Sequence, residues 1–322
     1  MDLVLAQDED APPRPDRVMQ LARTYATQVL SGNPAGLWSK FSPQMKEVLK
    51  DHASFMSFAE SVPKQIGHQT QVMNERVVPV MKLQTYERLF KTDGLRAPVQ
   101  FSVTLSQDET IMGLFVRPLP NPAESKFLEY QTKTPLHLPF RGEWTIYWGG
   151  QSTYDNYHAV TLDQRFAYDI DIEKEGRQYD GNGTKLEQVY AFGQPILAPA
   201  AGTVVSIEDQ YEDNPLMQPS KDNPAQGNNI VIDHGSGEFS MFAHLKWGSI
   251  QVNPGDKLHL GQQVAKCGNS GNSPFPHLHY HLQTTPKWFH GEGLHASFQN
   301  FILNGKLVSA ARPVRGDKVR AK

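Results

Sequence analysis

Residues 276–281 read Pro-His-Leu-His-Tyr-His, so three histidines alternate with two apolar residues. On a β-strand, successive side chains point to opposite faces, which would place His277, His279 and His281 on one face. Neutral imidazole is a common metal ligand near neutral pH, and a row of imidazoles is costly to bury without a partner. The pattern predicts a strand with metal-binding or catalytic histidines; the alternative is a polar strand face that is merely rich in histidine.

Three further stretches lie around this strand. Residues 268–276 are rich in Gly, Asn, Ser and Pro, which predicts a turn-forming loop. Residues 242–245, Phe-Ala-His-Leu, end an alternating apolar run and place His244 at the end of a second strand. Residues 164–170 read Gln-Arg-Phe-Ala-Tyr-Asp-Ile, which predicts a third strand with a single carboxylate, Asp169.

Taken together, these motifs make residues 140–290 resemble the lysostaphin-type (LytM-like) zinc metallopeptidases. That family has a late His-x-His strand after a Gly/Asn-rich turn, an earlier aromatic-Ala-His-Leu strand, and an early metal-binding His and Asp. The resemblance implies a zinc metalloendopeptidase with one Zn²⁺ per chain. It also implies that Asp169 and His279 bind the metal, while His244 and His277 act as catalytic residues beside the metal-bound water.

The early histidine departs from the family pattern. The usual position, four residues before Asp169, is taken here by Arg165, which stays protonated and cannot bind a cation. His158 is the expected replacement ligand, with a surface-loop histidine as the alternative reading. Two residues are candidates for supporting positions behind the ligands: His281, which can hydrogen-bond a ligand or have no role, and Arg165, which can pair with Asp171 or with a substrate carboxylate.

Composition narrows the classes of function. The chain has 322 residues, 39% hydrophobic and 20% charged, with a formal net charge of −3, which is typical of a globular protein with room for two cores. Because no basic surplus exists, nucleic acid is not expected as a partner. The sequence contains no run of 18 or more apolar residues, so no membrane-spanning helix is predicted. A lone cysteine, Cys267, allows no internal disulfide and is expected to be a packed thiol.

The first part of the chain predicts a separate α+β domain. Residues 1–14 read as a disordered lead-in. Within 15–117, apolar positions recur at helical spacing and Ser42-Pro43 predicts a helix start, before β-like runs at 77–84, 98–105 and 110–117. This helix-then-sheet order resembles the cystatin-like, nuclear-transport-factor-type domains. Such a domain would bind, position or dimerise rather than catalyse.

The second part predicts an all-β antiparallel domain, either a sandwich or barrel-like. Prolines in 118–139 favour a stiff linker. Residues 140–310 then show many short β-like runs separated by Gly, Asn and Pro, and 311–322 reads as a solvated basic tail. The polar loops 179–184 and 208–226 are expected to be exposed and flexible walls of a substrate groove.

The function implied by the resemblance is hydrolysis of an amide bond in peptidoglycan peptides by a metal-activated water. Two alternatives stay open. One is a catalytically inactive relative that activates or scaffolds cell-wall hydrolases, motivated by the arginine at position 165. The other is a phosphocarrier of related β-sandwich architecture. Residues 1–7 have small residues spaced as at a signal-peptidase site, and the expected location is periplasmic, secreted or cell-surface.

Overall fold

The computed structural model describes residues 12–322, and the chain divides into two compact units between Pro120 and Asn121. Most of the predicted disordered lead-in, residues 1–11, lies outside the described residues. Within residues 12–322, no helix is both long enough and apolar enough to cross a membrane.

The first unit begins with three helices, α1 (Pro15–Leu30), α2 (Pro43–Leu49) and α3 (His52–Ile66). The predicted helix start at Ser42 is present, since its side chain accepts a hydrogen bond from the Met45 amide at 3.1 Å. Asp51 caps α3 in the same way, through the Ser54 amide at 2.7 Å. Both caps satisfy backbone donors that the first turn of a helix leaves unpaired.

The helices are followed by a four-stranded antiparallel meander of β1 (Gln69–Val80), β2 (Leu83–Thr92), β3 (Val99–Leu105) and β4 (Ile111–Pro118). The apolar run 77–84 was predicted as one strand, and this is wrong. Val80 pairs with Leu83, so the run contains the hairpin turn, with Met81 in a left-handed conformation at φ 53°. Apolar content alone did not reveal the turn, because Met and Lys occupy it rather than Gly or Asn.

The second unit is dominated by an open antiparallel sheet. The strands of this unit are β5 (Glu143–Trp148), β6 (Tyr168–Asp171), β7 (Pro195–Leu197), β8 (Gly202–Glu208), β9 (Asn229–Asp233), β10 (Phe239–Ala243), β11 (Lys257–Leu258), β12 (Gln263–Lys266), β13 (Leu278–Gln283), β14 (Gly293–Leu294), β15 (Phe298–Leu303), β16 (Lys306–Ala311) and β17 (Lys318–Ala321). The large sheet runs β11-β8-β9-β10-β13-β6-β5-β17-β15-β16, with β14 beside β13, while β7 and β12 form a separate pair. The predicted α+β then all-β antiparallel order is confirmed, but the large sheet does not close into a barrel.

The segment predicted as a linker packs mostly within the second unit, so the predicted boundaries need correction. Residues 121–139, here called the leading segment, bury Leu136 and Leu138 in that unit's core. Its backbone is held by Glu238, which accepts hydrogen bonds from the amides of Lys133 at 2.7 Å and Thr134 at 2.8 Å. Proline restricts the backbone but does not prevent neighbouring side chains from joining a core.

The prediction that residues 311–322 form a solvated basic tail is also wrong. Strand β17 lies between β5 and β15, and its Val319 is fully buried opposite Trp144. The flanking Lys318 and Arg320 are exposed. The charges therefore mark the solvent face of an alternating strand, and the single apolar residue between them marks its buried face.

Candidate metal and active site

Strand register brings the distant motifs together. In the antiparallel pair β6/β13, Asp169 stands opposite His279, and in the pair β10/β13, Ala243 stands opposite the same histidine. His244 therefore follows directly at the end of β10. Strand β13 lies between β10 and β6, which carry the other two predicted motifs, and this central position brings the three motifs together.

His158 approaches from a loop rather than from a strand. It lies on a short 3₁₀ helix, Tyr157–Val160, whose start is capped by Asn156 through the His158 amide at 3.1 Å. The Asn156 amide group also donates to the carbonyls of Gly150 and Ala167, each at 3.1 Å. Asn156 thus fixes the loop to the segment that leads into the strand bearing Asp169. The sequence analysis missed this residue, although an Asn two residues before a candidate ligand is a capping signal.

One group of side chains could hold a metal ion. His158, Asp169 and His279 are all buried, and one ligand atom from each lies within 4.8 Å of the others. Nδ1 of His279 is 2.9 Å from Asp169 Oδ1, and Nε2 of His158 is 3.0 Å from Asp169 Oδ2. These are the three residues that the sequence predicted as ligands, and the fold brings them together.

The donor atoms fit a divalent cation. His158 Nε2 is buried and close to the Asp169 carboxylate, yet it forms no hydrogen bond with it or with another described residue. A buried polar atom without a partner is rare and calls for an explanation. Two imidazole nitrogens and one carboxylate oxygen form a donor set that zinc accepts, with one further coordination position left open. A bound cation would satisfy the His158 nitrogen.

The charges at the site favour the same interpretation. Burial opposes ionisation of Asp169, but His158 and His277 outweigh it and hold the pKa of this carboxyl well below its ordinary value. Burial lowers the pKa of His279 to about 4. The group therefore presents an ionised carboxylate beside a neutral imidazole at neutral pH, which is the protonation state that metal binding requires.

The two predicted catalytic histidines stand beside this group with their rings 4.9 Å apart. His244 Nδ1 lies 2.9 Å from the Ser270 carbonyl, and His277 Nδ1 lies 2.8 Å from the Phe275 carbonyl. A carbonyl can only accept, so Nδ1 carries the proton in each ring and Nε2 is left with a lone pair. In His277 this Nε2 is buried, without a hydrogen-bond partner among the described residues, and 3.6 Å from Asp169 Oδ1.

The environments of these two rings differ. Burial, and then the nearby His277 and His279, hold the pKa of His244 well below its ordinary value. Burial acts on His277 too, but the Asp169 carboxylate outweighs it and raises the pKa of that ring. His277 is therefore the more basic of the pair.

The turn before β13 is fixed by its neighbours rather than flexible. Ser270 accepts a hydrogen bond from the Asn228 amide at 2.9 Å and donates to the Leu245 carbonyl at 2.8 Å. Gly271 has φ 73°, and an added Cβ would collide with the backbone of Gly227, so a side chain is excluded there. These contacts hold the Ser270 carbonyl in place as the acceptor for His244.

The 208–226 loop, expected to be flexible, is anchored to the same turn. Asn214 donates to the carbonyls of Gly271 at 2.7 Å and Ser273 at 3.2 Å. The Met217 amide donates to the Pro274 carbonyl at 2.6 Å. The polar composition predicted an exposed loop. Instead, its polar side chains and backbone amides donate hydrogen bonds to carbonyls of the turn, which no regular secondary structure pairs.

A groove of about 200 Å³ opens over His158 and His279. It is lined by Tyr157, His158, Val160, Thr161, Gln164, Ala225, Gln226, Ala243, His244, Asn272, His279, Trp288 and Phe289. Two aromatic residues on its rim are half exposed, Tyr157 at 49% and Phe289 at 54%. The groove thus offers apolar surface and side-chain amide groups next to the histidines, a combination typical of ligand sites.

The two residues predicted to support the ligands differ in position. His281 lies directly behind His279, with its Nδ1 3.0 Å from His279 Nε2. Arg165 instead donates to the Ala123 carbonyl at 3.0 Å and lies over the Phe166 ring, so it holds the leading segment. Asp171, considered from the sequence as a partner of Arg165, is hydrogen-bonded by Gln178. Because β6 begins only at Tyr168, Arg165 lies in the turn before the strand, and its side chain is engaged outside the ligand group.

The antiparallel sheet carries a buried group of His and Asp side chains that could hold a metal ion. Residues 182–291 match the family model described as Peptidase family M23, and this part of the chain is similar to that family. The matched range includes His244, His277 and His279, while His158 and Asp169 precede it.

Two curated proteins with similar sequences have names that describe peptidases. The chain is 32% identical over 135 residues to "Peptidoglycan DD-endopeptidase ShyA" of Vibrio cholerae, covering 34% of this chain and 31% of that protein. It is 31% identical over 88 residues to an "Uncharacterized metalloprotease" of Haemophilus influenzae, covering 27% of this chain and 16% of that protein. The chain therefore spans about a third or less of the length of these curated relatives.

Among solved structures, the metalloprotease pseudoalterin has 17% sequence identity and a TM-score of 0.34, over 57% of this chain and 99% of that one. The catalytic domain of lysostaphin from Staphylococcus simulans has 16% identity and a TM-score of 0.26, over 52% of this chain and 92% of that one.

Proposed function

We propose that this protein is a zinc-dependent endopeptidase that hydrolyses an amide bond in peptidoglycan peptides. The observation that carries the proposal is the convergence of His158, Asp169 and His279 within 4.8 Å, beside two histidines whose Nε2 atoms are free to accept. The substrate class draws support from relatives whose names include peptidoglycan DD-endopeptidase. The corresponding location is periplasmic, secreted or at the cell surface.

The chemistry assigns distinct tasks to the residues. A zinc ion held by His158, Asp169 and His279 would supply Lewis-acid chemistry, polarising the scissile carbonyl and making water more acidic. His277 Nε2 accepts the proton that the attacking water loses as its oxygen bonds to the carbonyl carbon. The protonated ring then returns that proton to the departing amine as the C–N bond breaks. The Phe275 carbonyl keeps the ring oriented through Nδ1 during both transfers.

His244 has a supporting task in this scheme. Its Nδ1 proton is held by the Ser270 carbonyl, so its Nε2 accepts a hydrogen bond from the same water and orients it. The low pKa of His244 keeps the ring neutral, which suits an acceptor. The left-handed backbone of His244, at φ 58°, turns the ring toward the groove at the end of β10.

The inactive-scaffold alternative is less well supported than the enzyme. Its motivation was Arg165 at the usual position of the early ligand. The 3.0 Å approach of His158 to Asp169 supplies a replacement nitrogen, and Arg165 has a separate task in holding Ala123. Among residues 12–322, no contact favours the phosphocarrier alternative.

The proposal is tested by metal analysis and by digestion of purified cross-linked peptidoglycan peptides. We expect about one zinc per chain in the wild type, and new amine and carboxyl ends in the products. His279→Ala should bind no zinc and should have no activity, while His259→Ala, at an exposed histidine, should match the wild type. A His279→Ala protein that keeps stoichiometric zinc would refute the ligand assignment, and a zinc-loaded wild type without cleavage would refute the activity.

A further inference from the structure

One face of β13 carries a continuous row of buried polar side chains behind the ligand His279. His279 Nε2 lies 3.0 Å from His281 Nδ1, and His281 Nε2 lies 3.1 Å from Gln283 Oε1. His281 and Gln283 are both completely buried. The row thus connects the far side of the ligand ring to the end of the strand.

The direction of this row is set at Gln283. Its Nε2 donates to two backbone carbonyls, those of Thr285 at 2.6 Å and Lys287 at 3.0 Å. Both carbonyls can only accept, so the amide nitrogen must face them and Oε1 must face His281. The reversed amide would place an oxygen against two carbonyl oxygens. Gln283 therefore offers His281 an acceptor and nothing else.

The donor and acceptor roles at Gln283 determine the roles in the next two hydrogen bonds, up to His279. His281 Nε2 must carry the proton that Gln283 Oε1 accepts. Both nitrogens of His281 contact neutral groups and the ring is completely buried, so it holds one proton and its Nδ1 is an acceptor. His279 Nε2 must then be the donor to that nitrogen. The one proton of a neutral His279 is thereby used, and its Nδ1 faces Asp169 as a bare lone pair.

We propose that Gln283 and His281 are positioning residues whose directional hydrogen bonds fix the tautomer of His279 and keep its Nδ1 free for the metal ion. This rests on the proposed function, because it takes His279 as a zinc ligand. A proton on His279 Nδ1 would make its 2.9 Å contact with Asp169 Oδ1 a hydrogen bond, whereas the row places that proton on Nε2 and leaves both atoms as acceptors for a cation. Partners behind a metal-binding histidine commonly fix its tautomer, and their loss costs about 10–100-fold in metal affinity.

Three substitutions separate this role from simple packing. His281→Phe keeps an aromatic ring against Trp288, whose ring centroid is 5.3 Å away, but removes both nitrogens. His281→Gln keeps an acceptor toward His279 and a donor toward Gln283. Tyr280→Phe is the matched control on the same strand, since it removes a buried hydroxyl bonded to Ser240 on the opposite face.

The first readout is the proton position on His279 in the full chain without metal, measured at about pH 8 by nitrogen-15 NMR of the imidazole rings, where a histidine of ordinary pKa is neutral. We expect the proton on Nε2 in the wild type and in His281→Gln, and a shift toward Nδ1 in His281→Phe. A wild-type proton on Nδ1, or a mixture of both tautomers, would overturn the proposal. This readout needs no bound metal and no activity.

The second readout is zinc affinity, measured by competition with a chromogenic chelator. We expect His281→Phe to lose about 10–100-fold, and His281→Gln and Tyr280→Phe to stay within about threefold of the wild type. Unchanged affinity in His281→Phe, or an equal loss in Tyr280→Phe, would overturn the proposal. If the wild type bound no zinc, the proposed function would fail, while the tautomer of His279 would still decide whether the row acts as described.

Discussion

At the scale of single residues, the site depends on which nitrogen of each imidazole is engaged elsewhere. His244 and His277 direct Nδ1 at backbone carbonyls, which leaves Nε2 without that constraint. His279 is held through Nε2, which leaves Nδ1 toward Asp169. His277 immediately precedes β13 and His279 lies within it, and the two rings present different nitrogens, Nε2 and Nδ1, to the same carboxylate. In the proposed function, this difference makes His277 the proton acceptor and His279 a metal ligand.

The difference predicts that substitutions at these two positions have separable effects. His277→Ala should keep about one zinc per chain, because its Nε2 is 3.6 Å from Asp169 and the three proposed ligands stay in place. Its turnover should fall by about 10²–10⁴, the usual contribution of general acid–base catalysis. Metal analysis and peptide-cleavage rates measure both effects, with His259→Ala as the control.

A result in which His277→Ala lost zinc together with activity would contradict the assignment. His277 would then belong to the ligand set, and the carbonyl contact of its Nδ1 would serve metal binding instead of proton transfer. Retained zinc together with wild-type turnover would also contradict it, since the proton would then be accepted by another group.

The sequence indicated which histidines are candidates for the site, but not which residues hold them in place. Alternation alone placed His277 and His279 on one face, because the period of a strand is fixed. The roles of Ser270, Asn156 and Gln283 depend on carbonyls brought near by the fold. Such contacts leave no local pattern, since any of many amides and hydroxyls could satisfy a given carbonyl.

At the scale of elements, the leading segment shows where composition misleads. Its prolines indicated a linker, but Leu136 and Leu138 join the core and Glu238 pairs its backbone donors. Glu238 immediately precedes β10 and looked like an ordinary turn residue in the sequence. A proline-rich segment is part of a folded domain, and not a linker, when its apolar side chains pack into that domain's core.

Glu238 is expected to control the attachment of this segment. Glu238→Gln would replace one acceptor oxygen with a donor that faces the Lys133 and Thr134 amides, leaving at least one of them unpaired. These hydrogen bonds are part-buried, and an unsatisfied donor costs up to about 1–3 kcal/mol when it is buried. Hydrogen exchange at the Lys133 and Thr134 amides should accelerate by a corresponding factor of about 5–150, whereas Glu129→Gln, an exposed change in the same segment, should leave it unaltered.

The effect should depend on pH in a defined direction. Burial opposes ionisation of Glu238, but donors from Thr134, Lys133 and Tyr130 outweigh it and hold its pKa below the ordinary value. A depressed pKa gives stability that is present above the unfolded value of about 4.3 and is lost as pH falls through the folded value. The difference between the wild type and Glu238→Gln should thus be full near neutral pH and shrink under acid conditions. A difference that grew with acidity would have the wrong sign.

At the scale of the whole molecule, each unit has its own core. Aromatic residues such as Phe55, Phe90 and Phe101 fill the first, and the second is built on the buried faces of the long sheet. The sequence predicted two domains and their classes. It placed the start of the second domain about twenty residues too late, because the packing of Leu136 and Leu138 depends on strands far away in the chain.

The position of the boundary can be tested with two fragments. Fragment 121–322 retains the leading segment and should unfold cooperatively and bind about one zinc. Fragment 140–322, cut where the sequence placed the domain start, loses the buried Leu136 and Leu138 and leaves the Glu238 carboxylate without its donors. Each lost leucine costs about 2–5 kcal/mol, and the total approaches the roughly 5–15 kcal/mol that holds a typical domain together.

Urea denaturation followed by circular dichroism measures the outcome, with the full chain as reference. We expect the midpoint of the second unit to be the same in fragment 121–322 as in the full chain, and the cooperative transition to be absent from fragment 140–322. Equal midpoints for the two fragments would mean that the leading segment is the linker its prolines suggested. Its side chains would then only cover a core that the strands complete without it, and the Glu238 contacts would contribute nothing to the fold.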